Sequence, residues 1–449
     1  MTGKEKIISV LKKQKIDQIP WLPFAGVHAG KLKGYTAKEV STDAGKLIES
    51  LLEVNKLYKP DGQPVMFDLQ IEAEILGCDL LWSEDAPPTV ASHPLSDTTD
   101  IPAHIPGPAE GRIPLSLEAM KAMKAEIGDT TALYGLITGP FTLASHLRGT
   151  NIFMDMIMNP DYVKDLMKYA ADVAIAVGGY YIEAGMDVIA VVDPLVSQIS
   201  PDHFAEFMHG PFSEVFDSIR SEGALSSFFV CGNATANIAP MCKTCPDSIS
   251  VDENVNLADA KKITDEYDVV IGGNIPLTSV MLFGTQQDNM KNTVDLIDSL
   301  DNTDRLIVAP GCDMPYDIPV ENTIGVQQAV HQTEQIREMV KNYEGTSIEF
   351  EGELPDYPNL ERPLIEVFTL DSITCAACTY MKASADDIKD HFGDRIDMVE
   401  YKYTEPQNIA RCKVMEVKQL PSIYINGELK YSSIIPNRSE FIAEVEKCL

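Results

Sequence analysis

The stretch ALYGLITGP (residues 132–140) is a short apolar run, followed by a helical pattern over residues 161–184 and by a second apolar run, DVIAVVDP (residues 187–194). Short runs rich in Val, Ile and aromatic residues are typical of strands. A strand, a long helix and another strand in this order predict a β/α unit with parallel strands. The fold class indicated is therefore α/β.

The same alternation extends in both directions from this unit, across residues 1–345. Eight strand-like runs alternating with helical patterns predict a (β/α)8 TIM barrel. Residues 82–112, rich in Pro, Ser and Thr, are predicted to be a loop or hairpin inserted into it. The eight predicted strands are residues 19–28, 65–68, 132–140, 187–194, 225–232, 248–254, 268–276 and 305–313.

A second domain is expected because a chain of 449 residues exceeds the usual size of a single core. Residues 346–363 are acidic, contain Pro and lack periodicity, which predicts a linker. Residues 364–449 then show a βαβαββα order, with Cys375 and Cys378 opening the first helix and Leu420-Pro421-Ser422 leading into a strand. This pattern resembles the thioredoxin/glutaredoxin fold, in which the proline is cis and lies beside the dithiol.

The composition limits the possible partners. Asp and Glu number 68 against 36 Lys and Arg, a formal net charge of −32. Such a charge repels phosphate backbones and anionic bilayers, so we expect neither nucleic acid nor membrane partners. The first residues contain no secretory or membrane-spanning run, which predicts a cytoplasmic protein. In that compartment the nine cysteines indicate thiols, metal ligands or redox pairs.

The strand ends carry the candidate site, because barrel enzymes place reactive groups at the carboxyl ends of their strands. Cys231 and Cys312 end two strands, and paired thiolates with a His or carboxylate suit zinc; the alternative is that each is a small buried apolar residue. Cys242 and Cys245 lie at the opposite end and are expected to be structural. The polar residues at the strand ends are His28, Asp68, Thr138, Asp193, Cys231, Asp252 with Glu253, Asn274, and Cys312 with Asp313.

These stretches resemble the uroporphyrinogen decarboxylase superfamily, and within it the methylcobamide:coenzyme M methyltransferases. The motifs that carry the resemblance are QIEAEILG (70–77), ITGPFTLASH (137–146), VCGN (230–233), SVDEN (250–254), and APGC (309–312) followed by PVEN (319–322).

The resemblance implies a zinc held by a His-x-Cys pair and a distant Cys, which activates an acceptor thiol for a methyl group from a methylcorrinoid protein. Cys231 and Cys312 match the two cysteines, but Phe229 stands at the His position. The third ligand is therefore sought at His28, our metal candidate, or at the candidate catalytic carboxylates Asp68, Asp193 and Asp252. Thr138 and Asn274 are the candidate cofactor-binding residues.

Three functions follow. The first is a corrinoid-dependent methyltransferase with a corrinoid protein and a small acceptor or donor as partners. The second is a porphyrinogen decarboxylase, disfavoured because Arg148 is the only arginine expected near a strand end, too few for a polycarboxylate. The third is a non-catalytic barrel whose chemistry lies in Cys375 as attacking and Cys378 as resolving thiol, since a helix start lowers the pKa of a thiol.

Overall fold

The computed structural model describes residues 1–345, 349–373 and 376–449 of the chain. The chain divides into two compact units, Met1–Val196 with Ser200–Gly345, and Ser197–Ile199 with Thr346–Leu449. In the described residues no helix is both long and apolar enough to cross a membrane.

The first unit alternates strands and helices, as the sequence predicts. Its strands are β1 (Gly62–Met66), β2 (Leu80–Leu81), β3 (Thr89–Val90), β4 (Ala132–Thr138), β5 (Val188–Val192), β6 (Leu225–Val230), β7 (Ser248–Val251), β8 (Val270–Gly272) and β9 (Leu306–Ile307). Its helices are α1 (Gly3–Leu11), α2 (His28–Lys31), α3 (Ala37–Thr42), α4 (Ala44–Tyr58), α5 (Ile71–Ile75), α6 (Ile113–Ile127), α7 (Pro140–Arg148), α8 (Asn151–Met158), α9 (Pro160–Glu183), α10 (Pro201–His203), α11 (His209–Ser221), α12 (Ile238–Cys242), α13 (Leu257–Glu266), α14 (Gln286–Asp298), α15 (Val320–His331) and α16 (Thr333–Val340).

Seven of these strands form one parallel sheet in the order β1-β4-β5-β6-β7-β8-β9. Strands β2 and β3 form a separate antiparallel pair, of which β3 lies in the segment predicted to be a loop or hairpin and β2 precedes that segment. In the large sheet Thr138 pairs with Val192, and Val192 with Phe229, so the carboxyl ends of neighbouring strands lie side by side. We call this end of the sheet the mouth.

The predicted first strand, residues 19–28, is reduced to a parallel bridge between Trp21 and Val308. The Trp21 carbonyl also accepts from the N–H groups of Asp61 and Gly62, so this residue lies between the two edge strands β9 and β1. Such a closed ring is consistent with a TIM-like barrel. Pro20 and Pro23 flank the bridge and lack the N–H that a longer ladder needs.

The interior of the ring is apolar. Phe24, Tyr134, Val192 and Phe229 belong to one buried cluster, with at most 2% of each residue exposed. Cys231 and Cys312 pack against this cluster. Burial of this layer is the main stabilising contribution directly beneath the mouth.

The second unit contains the predicted elements in the predicted order. Its central strand β10 pairs in parallel with β11 and antiparallel with β12, giving the sheet order β11-β10-β12-β13. The Leu420–Pro421 peptide bond is cis. The elements are β10 (Leu364–Thr369), α17 (Ala376–Phe392), β11 (Asp397–Lys402), α18 (Pro406–Val414), β12 (Ser422–Ile425), β13 (Glu428–Ser432) and α19 (Arg438–Glu446).

Candidate functional site

The two strand-end cysteines meet at the mouth. Cys231 follows β6 and Cys312 follows β9, and their sulfurs form a disulfide with the two Cα atoms 5.8 Å apart. Both residues are partly exposed. The sequence therefore identified a real pair, but the structure joins the two sulfurs directly.

Phe229, at the position where the resemblance implies a histidine, is fully buried. Its ring stacks on Phe24 with the centroids 4.5 Å apart, and the ring of Phe67 lies 6.0 Å away. The side chain fills the apolar layer beneath the cysteine pair. It has no lone pair to offer a metal.

His28, the candidate third ligand, does not end a strand, and that prediction was wrong: it begins the short helix α2. One ring nitrogen lies 2.7 Å from the Tyr58 hydroxyl and the other 3.0 Å from the Tyr316 carbonyl oxygen. Burial lowers the pKa of His28 to about 4, so the imidazole is neutral at physiological pH. Both nitrogens are engaged within the protein. Among the residues that the structure describes, no group of three His, Cys, Asp or Glu side chains could hold a metal ion.

Asp193 ends β5 and binds the first turn of α7. Its carboxylate accepts hydrogen bonds from the backbone N–H groups of Phe141 (2.8 Å) and Thr142 (3.2 Å) and from the Thr142 hydroxyl (2.7 Å). Gly139 permits this approach, since a Cβ there would lie 2.4 Å from the side chain of Asp193. Burial raises the pKa of Asp193 to about 7. Asp193 thus bonds to the amino-terminal turn of α7 from outside the helix.

The loop after β7 carries two neighbouring acids. Asp252 accepts from the backbone N–H of Asn254 at 2.8 Å, and Glu253 accepts from the backbone N–H of Leu277. Burial, and then the charge of Asp252, raises the pKa of Glu253 to about 8; burial also raises the pKa of Asp252. The Asn274 amide donates to the carbonyls of Asp252 and Val255, both at 2.8 Å. Asn274 therefore holds this loop in place.

Asp68, at the carboxyl end of β1, forms an ion pair with Arg112. Arg112 also bonds to Glu74 at 2.7 Å and lies 5.0 Å from the centroid of the Trp82 ring. The expectation that Arg148 is the only arginine near a strand end was therefore wrong. Arg112 lies at the far end of the insertion, 44 positions after Asp68. The sequence alone therefore does not indicate that the two residues are in contact.

Thr138 ends β4 and faces an acid that the sequence did not single out. Its hydroxyl lies 2.8 Å from both the Leu69 carbonyl oxygen and a carboxyl oxygen of Glu72. Burial raises the pKa of Glu72. Glu72 lies within the QIEAEILG stretch, where acidic residues alternate with apolar ones. This pattern does not indicate that the Glu72 side chain points inward.

Asp313 completes the acidic lining. It follows Cys312 directly and accepts from the N–H of Gly26 at 2.8 Å. Burial raises its pKa to about 8, and the charge of Asp68 adds to the shift. The mouth therefore combines a cysteine pair with several carboxyl groups that retain protons near neutral pH.

The cysteines of the second unit lie elsewhere in the chain. Cys378 is buried in the first turn of α17, and the N–H of Leu370 donates to its sulfur at 3.3 Å. Cys375 lies outside the described residues.

Comparison with known proteins identifies the family to which the first unit is similar. The uroporphyrinogen decarboxylase (URO-D) family model matches residues 2–333. The chain belongs to the uroporphyrinogen decarboxylase family. Within the curated members of this family it is 28% identical, over 330 residues, to the methylcobamide:CoM methyltransferase MtbA of Methanosarcina acetivorans, covering 72% of this chain and 95% of that one.

Uroporphyrinogen decarboxylases are also similar. The enzyme of Nostoc punctiforme is 26% identical over 258 residues, covering 55% of this chain and 72% of that one. A solved methyltransferase from Methanosarcina mazei shares the fold, with a TM-score of 0.67 and 23% identity, covering 74% of this chain and 99% of that one.

Proposed function

We propose that the first unit is a methyltransferase that moves a methyl group between a corrinoid carried by a separate protein and a small acceptor such as a thiol. The observation that carries the proposal is the similarity to MtbA, which spans nearly the whole of that methyltransferase. The site is the mouth, where partly exposed cysteines and proton-holding carboxyl groups lie together.

The acidic groups supply proton transfer in this proposal. An acceptor thiol must lose its proton to become a nucleophile. Asp193, with a pKa of about 7, exchanges protons near neutral pH, but it is fully buried. Glu253, with a pKa of about 8, is partly exposed and can contact a bound acceptor. We therefore assign proton transfer to Glu253, supported by Asp252 beside it.

The residues at the mouth do not fit the zinc that the resemblance implies. The two sulfurs are bonded to each other, Phe229 occupies the position of the third ligand, and His28 uses both ring nitrogens elsewhere. Zinc sites need three protein ligands or more. We therefore propose no step through a metal.

The charges at the mouth disfavour porphyrinogen decarboxylation. Uroporphyrinogen carries many carboxylates, which need cations at the site. Arg112 is already paired with Asp68 and Glu74, and Arg148 with Asp155. The other titratable groups described at the mouth are carboxyl groups, which provide no positive charge to bind such a substrate.

The second unit is proposed to be a thioredoxin-like redox module. Its βαβαββα order, the cis Leu420–Pro421 bond and the position of Cys378 at the start of α17 support this assignment. This unit also keeps the third function open, in which the barrel does not catalyse and the redox chemistry belongs to Cys375 and Cys378.

The test is a spectroscopic assay of the reduced, full-length chain with methylcobalamin as donor and a panel of small thiols as acceptors. Loss of the methylcobalamin spectrum with formation of a methyl thioether is expected. Glu253→Gln should slow the reaction by about 10²-fold, the usual contribution of a positioned proton-transfer group. The matched control is Glu266→Gln, on the exposed surface of α13. No transfer to any acceptor, or decarboxylation of added uroporphyrinogen, would overturn the proposal.

A further inference from the structure

We infer that the Cys231–Cys312 disulfide is a reversible two-electron centre, opened by a thiol reductant, most efficiently a dithiol, and closed again by exchange with a small-molecule disulfide, which is reduced to thiol. The inference goes beyond the proposed methyl transfer and does not depend on it. It rests on the position, exposure and surroundings of the two sulfurs.

The position of the disulfide shows that the sheet does not need it. Strand β6 is hydrogen-bonded to β5 and β7, and β9 to β8. Since β7 and β8 separate the two strands, the bond links ends that are not neighbours. Opening it therefore leaves every strand pairing intact and frees two sulfurs at the mouth.

The mouth pair differs in exposure from the buried cysteines of the first unit. Cys231 and Cys312 are both partly exposed, whereas Cys78 and Cys242 are buried. Burial raises the pKa of each of these two buried thiols to about 12, which makes them poor nucleophiles. Reagents in solution can therefore reach the mouth pair before these two buried thiols; Cys245, which is exposed, is alkylated without reduction and is distinguished by its own peptide.

The loop after β7 contacts the backbone beside both cysteines. Asp252 accepts from the N–H of Gly232, next to Cys231. The backbone of Glu253 lies against Gly311, next to Cys312, where a Cβ would come within 2.7 Å of the Glu253 nitrogen. One loop therefore holds both strand ends, which keeps the two sulfurs close enough to bond again after the disulfide is opened.

The exchange balances without another reactant. A thiolate of the dithiol attacks one protein sulfur, forming a mixed disulfide as the Cys231–Cys312 bond breaks. The displaced cysteine thiolate takes up the proton that the reductant lost. The second thiol of the reductant then attacks the mixed disulfide and releases the other cysteine. The reductant loses two electrons and becomes a cyclic disulfide, and the protein gains two electrons and holds two thiols.

The experiment uses the full chain, purified without reductant and treated with dithiothreitol, 2-mercaptoethanol or glutathione. Remaining thiols are alkylated with iodoacetamide, and each cysteine is quantified by peptide mass spectrometry. Cys231 and Cys312 should become alkylated together, only after reduction, and should be protected again after exchange with oxidised glutathione, which is reduced to two glutathione molecules. Dithiothreitol should open the pair at a lower concentration than either monothiol, because its second thiol attacks the mixed disulfide from within the same molecule.

Each contrary outcome is decisive. Alkylation of the pair in untreated protein, resistance to dithiothreitol in the folded chain, or protection that a chelator and not a reductant removes would overturn the inference. Opening by the monothiols at the same concentration as by dithiothreitol would overturn the preference for a dithiol. Because the readout is a thiol count, loss of methyl transfer in a separate assay would count against the proposed function alone.

Discussion

The molecule contains two cysteine pairs that differ in how the chain brings them together. Cys231 and Cys312 are 81 positions apart and meet only because β6 and β9 end at the same mouth. Cys375 and Cys378 are close in sequence, and Cys378 lies in the first turn of α17. The first pair is set by the fold of a whole unit, whereas the second is set by one local motif.

The surroundings of the pairs differ as well. The mouth pair packs on the aromatic layer of Phe24, Phe67 and Phe229 and is bordered by carboxyl groups. Acidic neighbours disfavour a thiolate, while a helix start favours one. We therefore expect the mouth pair to remain a disulfide until a reductant opens it, and the motif pair to act as the attacking dithiol.

The largest expected effect is on the layer beneath the mouth pair. Phe229→Ala should lower the free energy of unfolding by about 3–5 kcal/mol, because it removes a fully buried ring from between Phe24 and Phe67. Chemical denaturation measures this loss. Met158→Ala, at a residue 74% exposed, is the control and should change stability by less than about 0.5 kcal/mol. Similar losses of unfolding free energy in the two variants would show that the Phe229 side chain is not part of the core. A metal-binding side chain could then be accommodated at this position.

Most of the strands whose ends form the mouth could be predicted from the sequence. The strand ends at Thr138, Asp193, Cys231 and Asp252 follow from the alternation of apolar runs and helices, and the structure confirms these strands. Periodicity finds strands, because a buried strand in a parallel sheet is a continuous apolar run.

The features of the mouth that could not be predicted depend on contacts between residues far apart in sequence. The run of residues 19–28 looked like a strand, but its prolines limit it to a bridge and His28 opens a helix. Arg112 and Glu72 reach the mouth from an insertion and a short helix, and no local pattern marks them. The disulfide could not be told from a metal site by sequence, since both require two cysteines at strand ends.

The next effect concerns the acids beside the mouth pair. Burial raises the pKa of Asp193 to about 7, above the ~3.9 of an unfolded chain. The folded state therefore binds this proton more tightly, so the stability it contributes is present at low pH and is lost as pH rises from about 4 to about 7. Asp193→Asn should flatten the decline in unfolding free energy across this range, measured by denaturation at several pH values.

Asp202→Asn provides the control for this pH dependence, because Asp202 is exposed. It should retain the wild-type decline. The same decline in Asp193→Asn would mean that Asp193 does not hold its proton in the folded protein.

A smaller effect separates the two pairs. Cys375→Ser should abolish the reversible disulfide expected for the motif pair and leave the opening of the mouth disulfide by dithiothreitol unchanged, because an external dithiol can attack the mouth directly. Peptide-level alkylation measures both pairs in one sample. A mouth disulfide that dithiothreitol no longer opens in this variant would make the two pairs obligately coupled and contradict their independence.

The smallest effect is expected at the remaining close pair, Cys242 and Cys245. Cys245 is exposed, and Cys245→Ser should change stability by less than about 0.5 kcal/mol. It should leave the zinc content of the purified protein, measured by mass spectrometry, unchanged. Zinc that disappears in this variant would place a metal site at this pair and refute its structural role.

A crystal structure of the unreduced, full-length chain, with diffraction data collected at the zinc absorption edge, would decide whether the mouth cysteines are bonded to each other or hold zinc. We expect continuous density between the sulfurs of Cys231 and Cys312 and no anomalous peak beside them. An anomalous peak within bonding distance of both sulfurs, with the sulfurs apart, would show a zinc site in place of the disulfide.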